Sequence, residues 1–270
     1  MGGLTVLRAL HENLPAEDLI YFGDTARVPY GTKGARTVRA FARQDASFLA
    51  TRGVKLIVVA CNTASAFAMD HLRQNFDIPF LDVIEPGVNN ALRETKGGRI
   101  GVIGTSGTIR SGRYQEQLMA SVSAERIVVQ ECPLFVPLVE EGMTDHPITH
   151  LAVAEYLTPL REQGVDTLIL GCTHYPVLKT AIGRFMGSGV TLVDSADALA
   201  TAATELLANN GQLQETKTKG QLTFYLSDIP WKFAEVGARF LGRPIEGVTT
   251  VHLDEAEHEG RLVYQRKDGV

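Results

Sequence analysis

The chain has 270 residues, 44% hydrophobic and 21% charged, and its 26 Lys and Arg against 31 Asp and Glu leave a formal net charge of −5. That size allows two smaller domains with well-buried cores, and the composition excludes a disordered or collagen-like chain. The acidic balance without any basic run argues against a nucleic-acid partner, and no apolar stretch is long enough to span a bilayer.

Apolar runs at 19–22, 56–60, 100–103, 127–129, 168–170 and 191–193 read as short strands alternating with helical stretches, the pattern of a mainly parallel sheet with crossover helices. After the first run, Val38, Phe41, Ala42, Ala46 and Leu49 recur at helical spacing. They predict a helix over 35–51 that packs its apolar stripe on a sheet and stops before Gly53. Further helices are expected from Thr63, from about Ser111, and from Pro147, Pro176 and Ser195. The polar stretch 212–220 reads as a loop, 222–226 as a strand and 232–241 as a helix. The end, with Asp254, Glu255, Glu257 and Glu259, reads as a solvated acidic tail.

Cys61, Cys132 and Cys172 are odd in number, far apart and without a C-x-x-C pair, which predicts free thiols rather than a disulfide framework. The opening Met1-Gly2-Gly3-Leu4-Thr5-Val6 lacks a secretory signal, so a cytoplasmic location is expected. Two of the cysteines belong to an internal repeat. Gly53-Val-Lys-Leu-Ile-Val-Val-Ala-Cys61 aligns without a gap on Gly164-Val-Asp-Thr-Leu-Ile-Leu-Gly-Cys172, and each ends a continuous apolar run of the kind buried on both faces. Asn62 and Thr63 after the first, and Thr173 with Pro176 after the second, are helix-start residues, so both thiols are expected to feel helix N-termini and to ionise more readily. Two thiols on related halves facing one cleft suit a reaction that needs opposed bases.

Five segments carry a family resemblance: 21–31 (Tyr-Phe-Gly-Asp-Thr-Ala-Arg-Val-Pro-Tyr-Gly), the two cysteine segments with Cys61-Asn-Thr-Ala and Gly171-Cys-Thr-His-Tyr-Pro176, residues 103–108 (Ile-Gly-Thr-Ser-Gly-Thr), and 132–140 (Cys-Pro-Leu-Phe-Val-Pro-Leu-Val-Glu). Taken in this order, the chain resembles the glutamate racemases over nearly its whole length. The resemblance implies an α/β fold of two pseudo-twofold-related domains with mainly parallel sheets and the active site in the cleft between them. The first domain would comprise residues 1–97 plus 194–270, the second 98–193. It also implies an isomerase that inverts glutamate at Cα without a cofactor, supplying D-glutamate for peptidoglycan synthesis, cell wall biogenesis and cell shape.

By the same resemblance Cys61 takes the proton from D-glutamate and Cys172 from L-glutamate, His174 assists the second cysteine, and Asp24 and Glu140 match acidic residues of the active site. Pro29, Tyr30, Gly31, Asn62, Thr63, Thr105, Thr108 and Thr173 fall at positions that bind the substrate's carboxylates and ammonium. Neutral donors hold two carboxylates without placing a cation beside the thiols. The loop around Gly104 and Gly107 is expected to add backbone N–H groups. No metal and no cofactor are expected, and the partner is the small-molecule substrate; oligomeric state, a homodimer among the options, is left open.

The family's members begin with a strand ending in Asp-Ser-Gly ahead of Gly-Gly-Leu-Thr-Val, whereas Met1 here directly precedes Gly2. A start assigned too late, a truncation and a natural lack of the strand are the three readings, the first favoured, and reduced activity and stability are expected for the chain as written. Alternatives to the main reading are a racemase of aspartate or another acidic amino acid, and a racemase-like binding or regulatory protein impaired in turnover. Taken alone, Cys132 reads as core; Asp24 as a turn or cap residue; Glu140 as a solvated acid. His146 and His150, four apart around Pro147, read as capping and surface residues rather than metal ligands. Residues 104–108 lack the lysine and glycine spacing of a phosphate loop.

Overall fold

The computed structural model describes residues 1–216, 218–230, 233–258 and 261–265. The chain opens with α1 (Gly3–Asn13), β1 (Leu19–Gly23), α2 (Ala35–Ala50), β2 (Ile57–Val59), α3 (Asn62–Asn75), β3 (Phe80–Asp82) and α4 (Ile84–Glu94). It continues through β4 (Arg99–Gly104), α5 (Ser106–Arg110), α6 (Arg113–Met119), β5 (Ile127–Glu131), α7 (Phe135–Glu140), α8 (Pro147–Glu162), β6 (Val165–Gly171), α9 (Lys179–Met186) and β7 (Thr191–Val193). The last part holds α10 (Ala196–Asn209), β8 (Leu222–Leu226), α11 (Phe233–Leu241), β9 (Val248–Thr250), β10 (His252–His258) and β11 (Arg261–Gln265).

Strands β5, β4, β6 and β7 form, in that order, a parallel four-stranded sheet. Its inner strands carry the uninterrupted apolar runs that burial on both faces requires: Leu168, Ile169 and Leu170 of β6 and Ile100, Val102 and Ile103 of β4 are all buried. One face packs with Phe135, Val153, Leu157 and Ile182, the other with Ile84, Val88, Tyr114 and Leu118. The remaining parallel strands form β1-β8-β9 and β2-β3. β1 and β2 are edge strands of these two groups, and both line one cavity of about 1030 Å³.

The repeat is visible in the backbone. Gly53 follows the C-terminus of α2 and Gly164 that of α8, and both adopt the left-handed conformation, φ 68° and 70°, that terminates a helix at little cost only in glycine. Each then feeds a strand, β2 or β6, that ends at a cysteine. The α2 stripe packs much as expected: Val38, Ala42 and Ala46 are buried, with Phe48, while Phe41 and Leu49 are partly covered.

Several elements differ from expectation. Helices α1, α4 and α7 and the strands β3 and β9 had no clear pattern in the sequence. The stretch 254–258, expected as part of an acidic tail, is backbone-paired in β10 with β11 as an antiparallel hairpin; Glu259 lies outside the described residues, as does Lys232 at the start of the predicted helix over 232–241. Among the described residues no helix is long and apolar enough to cross a membrane.

Candidate active site

Cys61 is the N-cap of α3, its carbonyl accepting the Ser65 N–H at 2.8 Å in the first helical hydrogen bond. Cys172 follows β6 directly, and its carbonyl accepts the Tyr175 N–H at 3.0 Å to start the 3-10 turn Tyr175–Leu178 that leads into α9. The two halves of the repeat thus deliver their thiols to the same cavity. Every other candidate from the sequence lines that cavity too: Asp24, Pro29, Tyr30, Gly31, Asn62, Thr63, Thr105, Thr108, Glu140, Thr173 and His174. Cys132 does not; it is fully buried, as a core cysteine should be. His146 caps α8 by accepting the Ile148 N–H at 3.2 Å, and His150 pairs with Asp145 at 3.0 Å, so neither belongs to the cleft.

Burial decides the thiol chemistry. The Cys61 thiol is pushed up by burial, against the N–H groups of Ala64 and Thr63, and Cys172 is pushed up to about 12 by burial, against the His174 N–H. Both thiols thus feel the N–H groups of the turns that follow them, as expected, but burial outweighs that help. A helix terminus contributes about 0.3–1 kcal/mol, less than one pH unit, whereas burying an anion costs several times that. An ionised Cys61 pushes Cys172 up further, so the thiols lie close enough to feel one another's charge.

Behind Cys172 stands a relay. Cys172 Sγ is 3.8 Å from His174 Nδ1, and His174 Nε2 is 3.1 Å from Glu140 Oε1. Burial holds the His174 ring below the usual imidazole value against the pull of Glu140, and that same hydrogen bond lowers the Glu140 carboxyl. His174 meets Phe240 of α11 edge-on, with 5.3 Å between ring centroids, which fixes its plane.

The floor of the cleft is a cluster of hydroxyls. Thr63 Oγ1 lies 3.0 Å from Thr105 Oγ1 and 3.1 Å from Thr108 Oγ1, and Thr105 and Thr108 are 3.1 Å apart. Asn62 is buried, its Oδ1 accepts the Tyr114 hydroxyl at 2.7 Å, and its Nδ2 has no partner among the described residues. A buried amide donor left free is costly unless something meets it, which makes Asn62 a ready hydrogen-bond donor to an anion. Gly107 N–H does not serve in this way, contrary to expectation: it donates to the Gly31 carbonyl at 2.8 Å. Asp24 lines the cavity with its carboxylate engaged by neighbouring side chains. Its oxygens take Arg27 Nε at 2.8 Å, Ser227 Oγ at 2.9 Å and the Tyr30 hydroxyl.

Sequence reading missed Tyr114, which holds Asn62, as well as Arg27 and Asp45, which hold Asp24 and Tyr30. Among the described residues no group of three His, Cys, Asp or Glu is arranged to hold a metal ion.

Paired thiols on opposed strand ends, a cleft of neutral donors and a two-domain α/β fold define a racemase of acidic amino acids or their relatives. The chain belongs to the Asp/Glu/Hydantoin racemase family, whose model matches residues 1–203. Within it, a glutamate racemase of Geobacter metallireducens is 51% identical over 96% of each chain. Among solved structures, that of a glutamate racemase from Francisella tularensis in complex with D-glutamate superposes with a TM-score of 0.86 at 39% identity, covering 92% of this chain and 93% of that one. A glutamate racemase isoform from Bacillus anthracis gives a TM-score of 0.88 at 35% identity over 94% of each.

Proposed function

We propose that the protein interconverts L- and D-glutamate by a two-base transfer at Cα, without a cofactor, with Cys61 and Cys172 on opposite faces of the substrate. The observation that carries this reading is that the two halves of the sequence repeat end in thiols lining one cavity, which hydroxyl and amide donors also line.

In the direction from D-glutamate, the Cys61 thiolate, supported by the Thr63 and Ala64 N–H groups, removes the α-proton and the Cys172 thiol returns one to the other face. In reverse, the Cys172 thiolate left by that transfer, with His174 Nδ1 beside it and Glu140 orienting the ring, removes the α-proton and the Cys61 thiol returns one to the other face. The negative charge developing on the α-carboxylate meets the Thr63, Thr105, Thr108 and Asn62 donors, already oriented and shielded from water. Thr173, Pro29, Tyr30 and Gly31 complete the substrate's surroundings.

The domain division at 97/98 and 193/194 belongs to this reading: β1, β2, β3, β8 and β9 fall in one part and β4 to β7 in the other. A cytoplasmic setting, where unpaired thiols stay reduced, and D-glutamate supply for peptidoglycan belong to it as well. A homodimer is the assembly to look for.

The test is to incubate the purified protein with L-glutamate and, separately, L-aspartate, following optical rotation. Racemisation of glutamate at least about a hundredfold faster than aspartate supports the reading. Faster turnover of aspartate refutes it, and binding of glutamate with no turnover points to an impaired relative.

A further inference from the structure

Residues of the 24–31 loop line the cleft, and what holds the loop is a cluster of Arg27, Asp24 and Asp45 whose charges the chemistry above does not use. Arg27 reaches from this loop onto one face of α2. Its guanidinium lies 4.2 Å from the centre of the Phe41 ring, donates to Gln44 Oε1, and donates from Nη2 to Asp45 Oδ1 at 2.7 Å. Phe41, Gln44 and Asp45 are spaced i, i+3 and i+4, so one helix face grips one side chain. From its other side Arg27 donates Nε to both oxygens of Asp24 at 2.8 Å.

The Tyr30 hydroxyl sits between the two carboxylates, bonded to Asp24 Oδ2 and 3.1 Å from Asp45 Oδ2. One hydroxyl proton cannot serve two acceptors. Burial and the neighbouring Asp24 push the Asp45 carboxyl well above its usual range, with Arg27 opposing. A protonated Asp45 resolves the conflict: it donates to Tyr30, Tyr30 donates to Asp24, and the second Asp45 oxygen still accepts from Arg27.

The position of Tyr30 matters because the adjoining residue is clasped to the far wall. Gly31 carbonyl accepts the Gly107 N–H at 2.8 Å, and a Cβ on Gly31 would stand 2.6 Å from Thr105 Cβ. A shift of the 29–31 turn is therefore transmitted to Thr105 and through it to the hydroxyl cluster.

We propose that Asp45 is a positioning residue of the enzyme: with Arg27 it anchors the Tyr30 hydroxyl and so sets the 29–31 turn against the Thr105–Thr108 loop where substrate binds. This deepens the glutamate racemase reading and rests on it. A charged Asp45 would push the Cys61 thiol up, whereas the protonated Asp45 of this arrangement exerts no such charge and touches no reacting atom, so its loss should be read in substrate affinity rather than in proton transfer.

The experiment compares Asp45→Ala, Asp45→Asn and Tyr30→Phe, with the double variant Tyr30→Phe/Asp45→Ala, by racemisation kinetics and thermal melting. Parent turnover of glutamate is measured first, so failure of the functional reading is distinguished from failure of this one. Asp45→Ala is expected to raise KM for glutamate about tenfold with kcat within about threefold, the scale of one lost hydrogen bond. Asp45→Asn can still donate to Tyr30 and accept from Arg27, and restores KM to within about threefold of the parent. In the Tyr30→Phe background Asp45→Ala adds no further rise in KM. An unchanged KM in Asp45→Ala, a loss confined to melting temperature, or full additivity with Tyr30→Phe overturns the proposal. If Asp45→Ala does not fold, a KM for Asp45→Asn more than about tenfold above the parent overturns it just as well.

Discussion

Replacing Glu140 by Gln removes a charge from the back of the Cys172 relay while keeping the side chain's size. The hydrogen bond concerned spans 3.1 Å to His174 Nε2, with the His174 and Glu140 side chains 13% and 33% exposed. A hydrogen bond to a charged partner is worth about 1.5–3 kcal/mol, and the partial exposure of Glu140 places the effect at the lower end. At about 1.4 kcal/mol per decade this gives a loss of about ten- to thirtyfold in kcat/KM. L- and D-glutamate have equal energies, so kcat/KM must fall by the same factor in both directions, and the side of the site that is damaged shows only in isotope effects. With transfer at Cys172 made slower, α-deuterated L-glutamate should show a larger primary isotope effect than in the parent and α-deuterated D-glutamate a smaller one. The assay is initial-rate circular dichroism on both enantiomers, protiated and deuterated. A loss under about threefold, or the reverse pattern of isotope effects, refutes the relay.

Cys61→Ser and Cys172→Ser are each expected to lower racemisation at least about a hundredfold, the scale of a positioned acid or base, and a near-parent rate in either variant removes that thiol from the mechanism. Gly31→Ala places a Cβ 2.6 Å from Thr105 Cβ and 2.9 Å from its Oγ1, so overpacking of about 1–3 kcal/mol and a raised KM are expected in urea titration and kinetics; parent-like values contradict the tight clasp. Tyr114→Phe leaves Asn62 Oδ1 without its 2.7 Å donor inside the core and should cost about 1–3 kcal/mol in urea unfolding, with a midpoint unchanged from the parent as the contrary result. For pH, the folded His174 ring resists a proton that the unfolded chain accepts near 6.5, so its contribution is present above that value and lost as pH falls through the lower folded value. Glu140, held below its ordinary 4.5, adds a further loss at lower pH. Stability should drop between pH 7 and 5 in the parent and less in His174→Gln; equal slopes contradict the buried neutral ring.

The cysteine-bearing junctions were legible because their pattern is local: a left-handed glycine, an apolar strand and a helix start follow one another within a dozen residues, although only β6 is buried as its run predicts, β2 being a half-buried edge strand. The strands β4, β5, β6 and β7 and the helices α2 and α8 were readable for the same reason. α4 was not, because Pro86 and Gly87 in its first turn read as breakers, although Asp82 caps it by accepting the Ile84 N–H at 2.8 Å. β3 is three residues long and α7 contains Pro137, too little for periodicity to register. Within the site, the threonines and Glu140 stood out only through family motifs. Asp45 lies on an ordinary amphipathic helix, and nothing in its local sequence announces that Arg27 and Tyr30 fold onto it. The N–H groups beside each thiol were legible as helix starts, whereas the burial that outweighs them was not, because desolvation depends on distant packing.

The central claim is that two thiols flank one carbon, each serving one face. It is tested most directly by running the reaction in deuterium oxide from D-glutamate and measuring deuterium at Cα in both enantiomers at early times. Two opposed bases predict L-glutamate fully labelled from solvent while the remaining D-glutamate keeps its proton. Substrate hydrogen carried into the product, or equal labelling of both enantiomers from the start, would contradict the account.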